Sequence, residues 1–197
     1  MPAPKHIAAL YEWQTPDAFC SIAADERNRL GTATLTGHHS NVREALVAGP
    51  FAPLAYPGYM VRLVENDPPD FELGPDPIIG FEVAEALEPG RRRGDEYRSS
   101  SPKSAFVKPH MLSPEGELKA ITDSLAAITL KKSNKAYGPG TRLVVYLDIP
   151  VFFAKAEAVL DAAQSALQPA TGRFAETWLF WKKAAYLIQP NRPFASP

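Results

Sequence analysis

Asp70-Phe71-Glu72-Leu73-Gly74-Pro75-Asp76-Pro77-Ile78-Ile79-Gly80-Phe81-Glu82-Val83-Ala84 is the stretch whose reading decides the fold. Apolar and polar residues alternate on either side of a Gly-Pro-Asp-Pro break. That is the pattern of two half-buried strands joined by a turn. With the turn centred near Asp76, Asp70 faces Glu82, Phe71 faces Phe81, Glu72 faces Gly80 and Leu73 faces Ile79. Alternation then gathers Phe71, Leu73, Ile79, Phe81 and Val83 on one apolar face. Asp70, Glu72, Glu82 and Ala84 share the other, where Gly80 leaves a gap. Carboxylates opposite one another on adjacent strands sit about 5 Å apart. Like charges there destabilise unless a cation lies between them, and hard oxygen ligands with spare water positions suit Mg²⁺ or Mn²⁺.

Outward from the hairpin, the chain is punctuated before it and regular after it. Thr15 as N-cap and Pro16 at the first helical position predict a helix to about Leu30, stopped by Gly31. Ser40 caps a second, shorter helix, Asn41 to Ala48, ended by Gly49, and residues 49–58 read as a Pro/Gly loop. Tyr59 to Val64 reads as a strand. Residues 86–114 form a long polar loop. Glu115 to Tyr137 is helical, with Leu118, Ile121, Leu125 and Ile128 on one face. Arg142 to Ile149 is an apolar, β-branched run expected to be a strand buried on both faces. Asp148 is expected to cap a helix from Val151 to Leu167. Thr177 to Trp181 and Ala184 to Gln189 read as a strand pair around Lys182-Lys183. This order suggests an α/β sandwich around one mixed sheet. The expected organisation is a flexible arm at 1–14, a single domain at 15–190 and a disordered tail at 191–197.

Composition sets the outer bounds. In 197 residues, 21 Lys and Arg against 22 Asp and Glu leave a net charge of −1, so any nucleic-acid binding must come from a local patch. Proline is abundant, at 20 residues, about twice the usual share, which means much loop. A single cysteine, Cys20, excludes an internal disulfide scaffold and a Cys-rich zinc site. No apolar run reaches membrane-spanning length and no signal peptide is visible, so a cytoplasmic protein is expected, with no membrane partner. Neither a Walker loop, a G-x-S-x-G elbow nor a G-x-G-x-x-G turn is present.

Pro69-Asp70, then Glu82-x-Ala84 on the next strand, then a helix and a strand, resembles the PD-(D/E)xK nuclease superfamily, the fold of many restriction endonucleases. The resemblance spans roughly residues 41–149 and rests on short motifs. It implies a restriction endonuclease-like α/β sandwich, with a mixed central sheet flanked by helices, and a metal-dependent nuclease that hydrolyses phosphodiester bonds. It further implies that Asp70 and Glu82 hold Mg²⁺ (or Mn²⁺), that the Val83 carbonyl completes the shell, and that the metal activates a water. The family's lysine falls two residues after the glutamate, where this chain has Ala84. In some members that lysine has migrated to the following helix. Continuing the stripe Leu118, Ile121, Leu125, Ile128 reaches Lys132 first and Lys135 as a reserve, whereas Lys131 lies on a neighbouring face. A first-helix glutamate, often added by the family, has Glu44 as its best-placed candidate and Glu26 as the weaker one.

Arg91, Arg92, Arg93, Arg98, Lys103 and Lys108 make the segment after this hairpin locally basic. Their expected role is to grip nucleic-acid backbone, DNA before RNA. The alternatives stay open: Asp70 as a turn residue, Glu82 as a solvated strand residue, Lys132 complementing a helix dipole, the basic run as a solvated loop. A catalytically inactive nuclease-fold scaffold that binds nucleic acid or protein is the rival to the enzyme, and Ala84 favours it. A homodimer is left open.

Overall fold

Phe71 pairs with Phe81, Glu72 with Gly80 and Leu73 with Ile79, so the observed hairpin register is the one expected. The computed structural model describes residues 7–35, 39–65, 68–91 and 112–188. Among them run α1 (Pro16–Leu30), α2 (Ser40–Ala55), β1 (Met60–Leu63), β2 (Phe71–Gly74), β3 (Ile79–Ala86), α3 (Pro114–Ser133), β4 (Arg142–Leu147), α4 (Ala156–Leu167), β5 (Thr177–Trp181) and β6 (Ala184–Ile188). The strands form one six-stranded mixed sheet in the order β1-β2-β3-β4-β5-β6. β3, β4 and β5 are parallel, and the remaining neighbours are antiparallel. The fold is therefore α/β, with α3 and α4 as the crossovers that parallel pairing requires. No helix among the described residues is long and apolar enough to cross a membrane.

Strand alternation divides the interior into two cores. On one face Phe19, Phe51, Phe71, Leu73, Phe81, Val144 and Phe180 pack under α1 and α2. On the other, Ala84, Ala86, Ile121, Leu125, Leu143, Val145 and Leu179 pack under α3 and α4. α1 begins as its sequence dictates, with the Thr15 hydroxyl accepting from Ala18 N–H and Pro16 at the first position.

Four expectations are corrected. First, α2 does not end at Gly49; it runs through Pro50 and Pro53 to Ala55. Burial of Phe51 and Ala52, both fully covered, outweighs the two missing N–H donors. Gly49 is instead a contact point with α1, because a Cβ there would meet Cys20 Sγ at 2.6 Å. Second, the segment expected as an arm is packed from Ile7 onward. Leu10 is fully buried, Gln14 exchanges backbone hydrogen bonds of 3.1 and 2.9 Å with Val61, and Trp13 lies over Gly74. Third, α3 stops at Ser133, with Asn134 as its C-cap, rather than at Tyr137. Fourth, Asp148 does not cap α4, which starts at Ala156 with Lys155 as N-cap. The intervening loop is held from outside: the buried Glu117 carboxylate accepts backbone N–H bonds from Phe152, Phe153 and Ala154 at 2.8–3.3 Å.

Candidate functional site

The sheet carries the acidic pair and α3 carries the cation. Asp70 extends β2 by one residue: its N–H donates to Phe81 O at 2.9 Å and its carbonyl accepts from Val64 N–H at 3.1 Å. Its Oδ2 accepts from the Val83 N–H at 2.6 Å. Glu82, one residue earlier on β3, faces α3, and its Oε1 receives the Lys132 ammonium. Lys132 Nζ also donates to the Val83 carbonyl at 2.9 Å. The Tyr137 hydroxyl donates to Glu82 Oε1 at 3.2 Å. Val83 is thus held from two directions, its N–H by Asp70 and its C=O by Lys132.

Burial is high throughout. Glu82 is 3% exposed and Asp70 8%, and the Lys132 side chain is 11% exposed. The second carboxylate oxygen, Glu82 Oε2, is buried and has no hydrogen-bond partner among the described residues. A buried carboxylate oxygen is costly to leave without a hydrogen-bond donor or cation. Hard oxygens from Asp70, Glu82 and the Val83 carbonyl are the donor set that Mg²⁺ or Mn²⁺ takes. An ammonium now touches two of those three residues. Among the described residues there is no cluster of three or more His, Cys, Asp or Glu able to hold a metal.

The structure brings Asp70, Glu82, Val83 and Lys132 to one place and keeps the other candidates away. Lys135 lies past the end of α3 and is exposed, because the helix stripe it extrapolates from has already stopped. Glu44 lies with Val83 and Glu85 beside Arg43 on the α2 side of the sheet, opposite the face that carries Glu82. Glu26 is buried against Arg29 through bonds of 2.8 and 2.6 Å. Glu72 is neutralised by Arg62 at 2.7–2.9 Å. The gap expected at Gly80 is filled by the Pro69 ring, 3.0 Å from where a Cβ would stand. Of the basic segment, Arg91 pairs with Asp148; Arg92, Arg93, Arg98, Lys103 and Lys108 lie outside the described residues.

Tyr137, Tyr56 and Glu176 were not singled out in the sequence. Tyr137 sits just ahead of the Gly138-Pro139-Gly140 turn, and a hydroxyl beside that turn was the available signal. At the same sheet end, on the α2 side, Glu176 accepts from the Tyr56 hydroxyl and from Trp178 Nε1–H at 2.8 Å, with Arg142 at 3.3 Å. Burial, then the Glu176 carboxylate, push the Tyr56 hydroxyl well above its usual range. Burial alone would raise Glu176, but the donated hydrogen bonds and Arg142 hold it below the ordinary carboxyl range. This is a structural lock between α2 and β5. Cys20 is half-buried against Gly49, and burial followed by Asp17 pushes its thiol up, the opposite of nucleophile activation. No family model, no curated protein and no solved structure matches the chain.

Proposed function

We propose that this is a restriction endonuclease-like protein whose Asp70, Glu82 and Lys132 hydrolyse phosphodiester bonds of nucleic acid with a divalent metal. One observation carries the reading: a lysine from the crossover helix, not from β3, contacts both the Glu82 carboxylate and the Val83 carbonyl. That is where a migrated lysine has to arrive if Ala84 leaves the strand position empty. The run α2-β1-β2-β3-α3-β4, with one mixed sheet between two helical layers, supports it as well.

Asp70, Glu82 and the Val83 carbonyl would hold the metal, and the orphaned Glu82 Oε2 gives it a free oxygen. Bound there, a divalent ion lowers the pKa of a coordinated water and screens charge on the phosphodiester. The chain's own residues do the rest. Tyr137 fixes the rotamer of Glu82 by bonding Oε1. Asp70 pins β3 at Val83. An ammonium has three donors. Lys132 commits two, to Glu82 and Val83, and the third is left for a phosphoryl oxygen, where charge accumulates in the transition state.

Depth favours a second reading, a nuclease fold that binds but does not cut, since Glu82 at 3% exposure offers a substrate little to reach. The full-length protein with Mg²⁺ or Mn²⁺, offered supercoiled plasmid, single-stranded DNA and RNA, separates the two. Cleavage that disappears in both Glu82→Gln and Lys132→Met, with calorimetric Mn²⁺ binding lost in Glu82→Gln, supports the phosphodiesterase. No cleavage and no Mn²⁺ heat in the wild type leaves the scaffold.

A further inference from the structure

A cavity of about 410 Å³ opens on the α1/α2 side of the sheet, where β3 and β4 end. Its charged lining is Arg27, Arg43, Arg91, Glu85 and Asp148, and Leu46, Val47 and Tyr146 supply an apolar wall. Three guanidinium groups against two carboxylates leave a formal charge of +1. One of those acids is already satisfied: Arg91 lies 3.6 Å from the Asp148 carboxylate and donates to the Asp148 carbonyl at 3.3 Å.

Arg27 and Arg43 are different. Neither guanidinium has a hydrogen-bond or ion-pair partner among the described residues, although Arg43 is half-buried. Covering a guanidinium without pairing it is unfavourable. Position adds to the cost. Arg43 lies within a turn of the N-terminus of α2, the positive end of the helix dipole, and that first turn holds no acidic residue. Arg27 faces it from the last turn of α1. Two unpaired guanidinium groups, Arg43 half-buried and Arg27 exposed, line one cavity and can meet an oxyanion with several acceptor oxygens. The volume falls within the roughly 300–1,000 Å³ of small-ligand clefts, and the crevice at the carboxyl ends of parallel strands is where open α/β sheets bind ligands.

We propose that this cavity binds a phosphomonoester, its phosphate bridged by Arg27 and Arg43 and its organic body lying along Leu46, Val47 and Tyr146. The site is on the sheet face opposite Glu82 and Lys132, and it does not depend on their chemistry. The phosphate has two possible sources, a free mononucleotide or the terminal phosphate of a nucleic-acid strand.

Isothermal titration calorimetry on the full-length protein tests it, with adenosine 5′-monophosphate, adenosine, inorganic phosphate, and one DNA oligonucleotide carrying either a 5′-phosphate or a 5′-hydroxyl. The monophosphate is expected to bind at least tenfold more tightly than adenosine, or the 5′-phosphorylated strand at least tenfold more tightly than the 5′-hydroxyl strand. The first result assigns a free ligand and the second a strand end. Arg43→Gln and Arg27→Gln each weaken that binding about tenfold or more, the effect of losing a charge-assisted contact. Lys131→Gln, an exposed cation on α3, leaves it unchanged. Arg43→Gln keeps or raises the melting temperature, since it removes a half-buried cation with no partner among the described residues, so loss of binding cannot be blamed on unfolding. The assignment is overturned if neither phosphorylated ligand binds at millimolar concentration, or if both arginine variants bind as the wild type does.

Discussion

Replacing Lys132 by Met tests the Glu82–Lys132 pair more directly than any activity assay. The side chains are 11% and 4% exposed, so solvent screens them little. The substitution keeps the aliphatic stem but takes the ammonium from Glu82 and from the Val83 carbonyl. Among the described residues, Glu82 is then a buried anion whose one remaining donor is Tyr137, with Oε2 unpaired. Removing one partner of a buried ion pair costs about 3–5 kcal/mol, a large part of the roughly 5–15 kcal/mol that holds a typical domain together. Glu82→Gln relieves the charge, so Lys132→Met/Glu82→Gln should recover most of the loss, giving a coupling energy of about 2–3 kcal/mol in a double-mutant cycle. Urea unfolding at neutral pH, followed by tryptophan fluorescence and circular dichroism, reads all four corners, with unchanged slopes certifying the comparison. A Lys132→Met penalty below about 1 kcal/mol, or a coupling near zero, would show that the ammonium is hydrated and apart from Glu82. Both the packing account and the phosphodiesterase proposal would then fail.

Three further outcomes follow from packing and charge. Burial acts to raise the Glu117 carboxyl, but the Ala154, Phe152 and Phe153 N–H groups outweigh it and, with Lys182, hold it below the usual 4.5. A depressed carboxyl stabilises above its unfolded value and loses that contribution as pH falls. Glu117→Gln should therefore cost about 2–3 kcal/mol at pH 7, and the melting-temperature gap to wild type should narrow steadily below about pH 5; a constant gap from pH 7 to 3 refutes this. Lys182 and Lys183 turn the β5–β6 hairpin with φ of 48° and 62°, a conformation that Asn-Gly adopts without strain. Lys182→Asn/Lys183→Gly should raise stability by about 1–2 kcal/mol, measured by chemical denaturation, and a loss would show that the lysine side chains hold the turn. Gly49→Ala drives a Cβ to within 2.6 Å of Cys20 Sγ and should cost about 1–3 kcal/mol; Cys20→Ala in the same chain should return most of it, and failure to do so would place the clash elsewhere.

How far the sequence reached depended on the range of the interaction. The β2–β3 register was legible because alternation and a Gly-Pro-Asp-Pro turn act within fifteen residues. α1 carried its own cap and stop, and the Lys182-Lys183 hairpin was bracketed by two clear strands. The stripe on α3 pointed to Lys132 because helical periodicity persists as far as the helix does; it misled at Lys135, where the helix had ended. α2 defeated local reasoning. Two prolines argue for a loop, and only the tertiary burial of Phe51 and Ala52 overrides them. The true start of α4 was hidden for the same reason, since Glu117, more than thirty residues upstream, organises the chain ahead of it. Arg27 and Arg43 look like ordinary surface cations until two helix ends aim them at one cavity.

Val144 points into the interior beneath α1 and α2, while its neighbours Leu143 and Val145 point into the one beneath α3 and α4. The first interior is built mostly from residues up to Phe81, and the second entirely from Ala84 onward. A nascent chain can thus begin its first half early, yet β3 waits with its far side bare until the middle strand and both later helices emerge. β4 is the keystone that fuses the halves. A fragment cut ahead of it keeps a raw apolar flank and an unpaired strand edge, so it should be sticky during synthesis rather than merely incomplete.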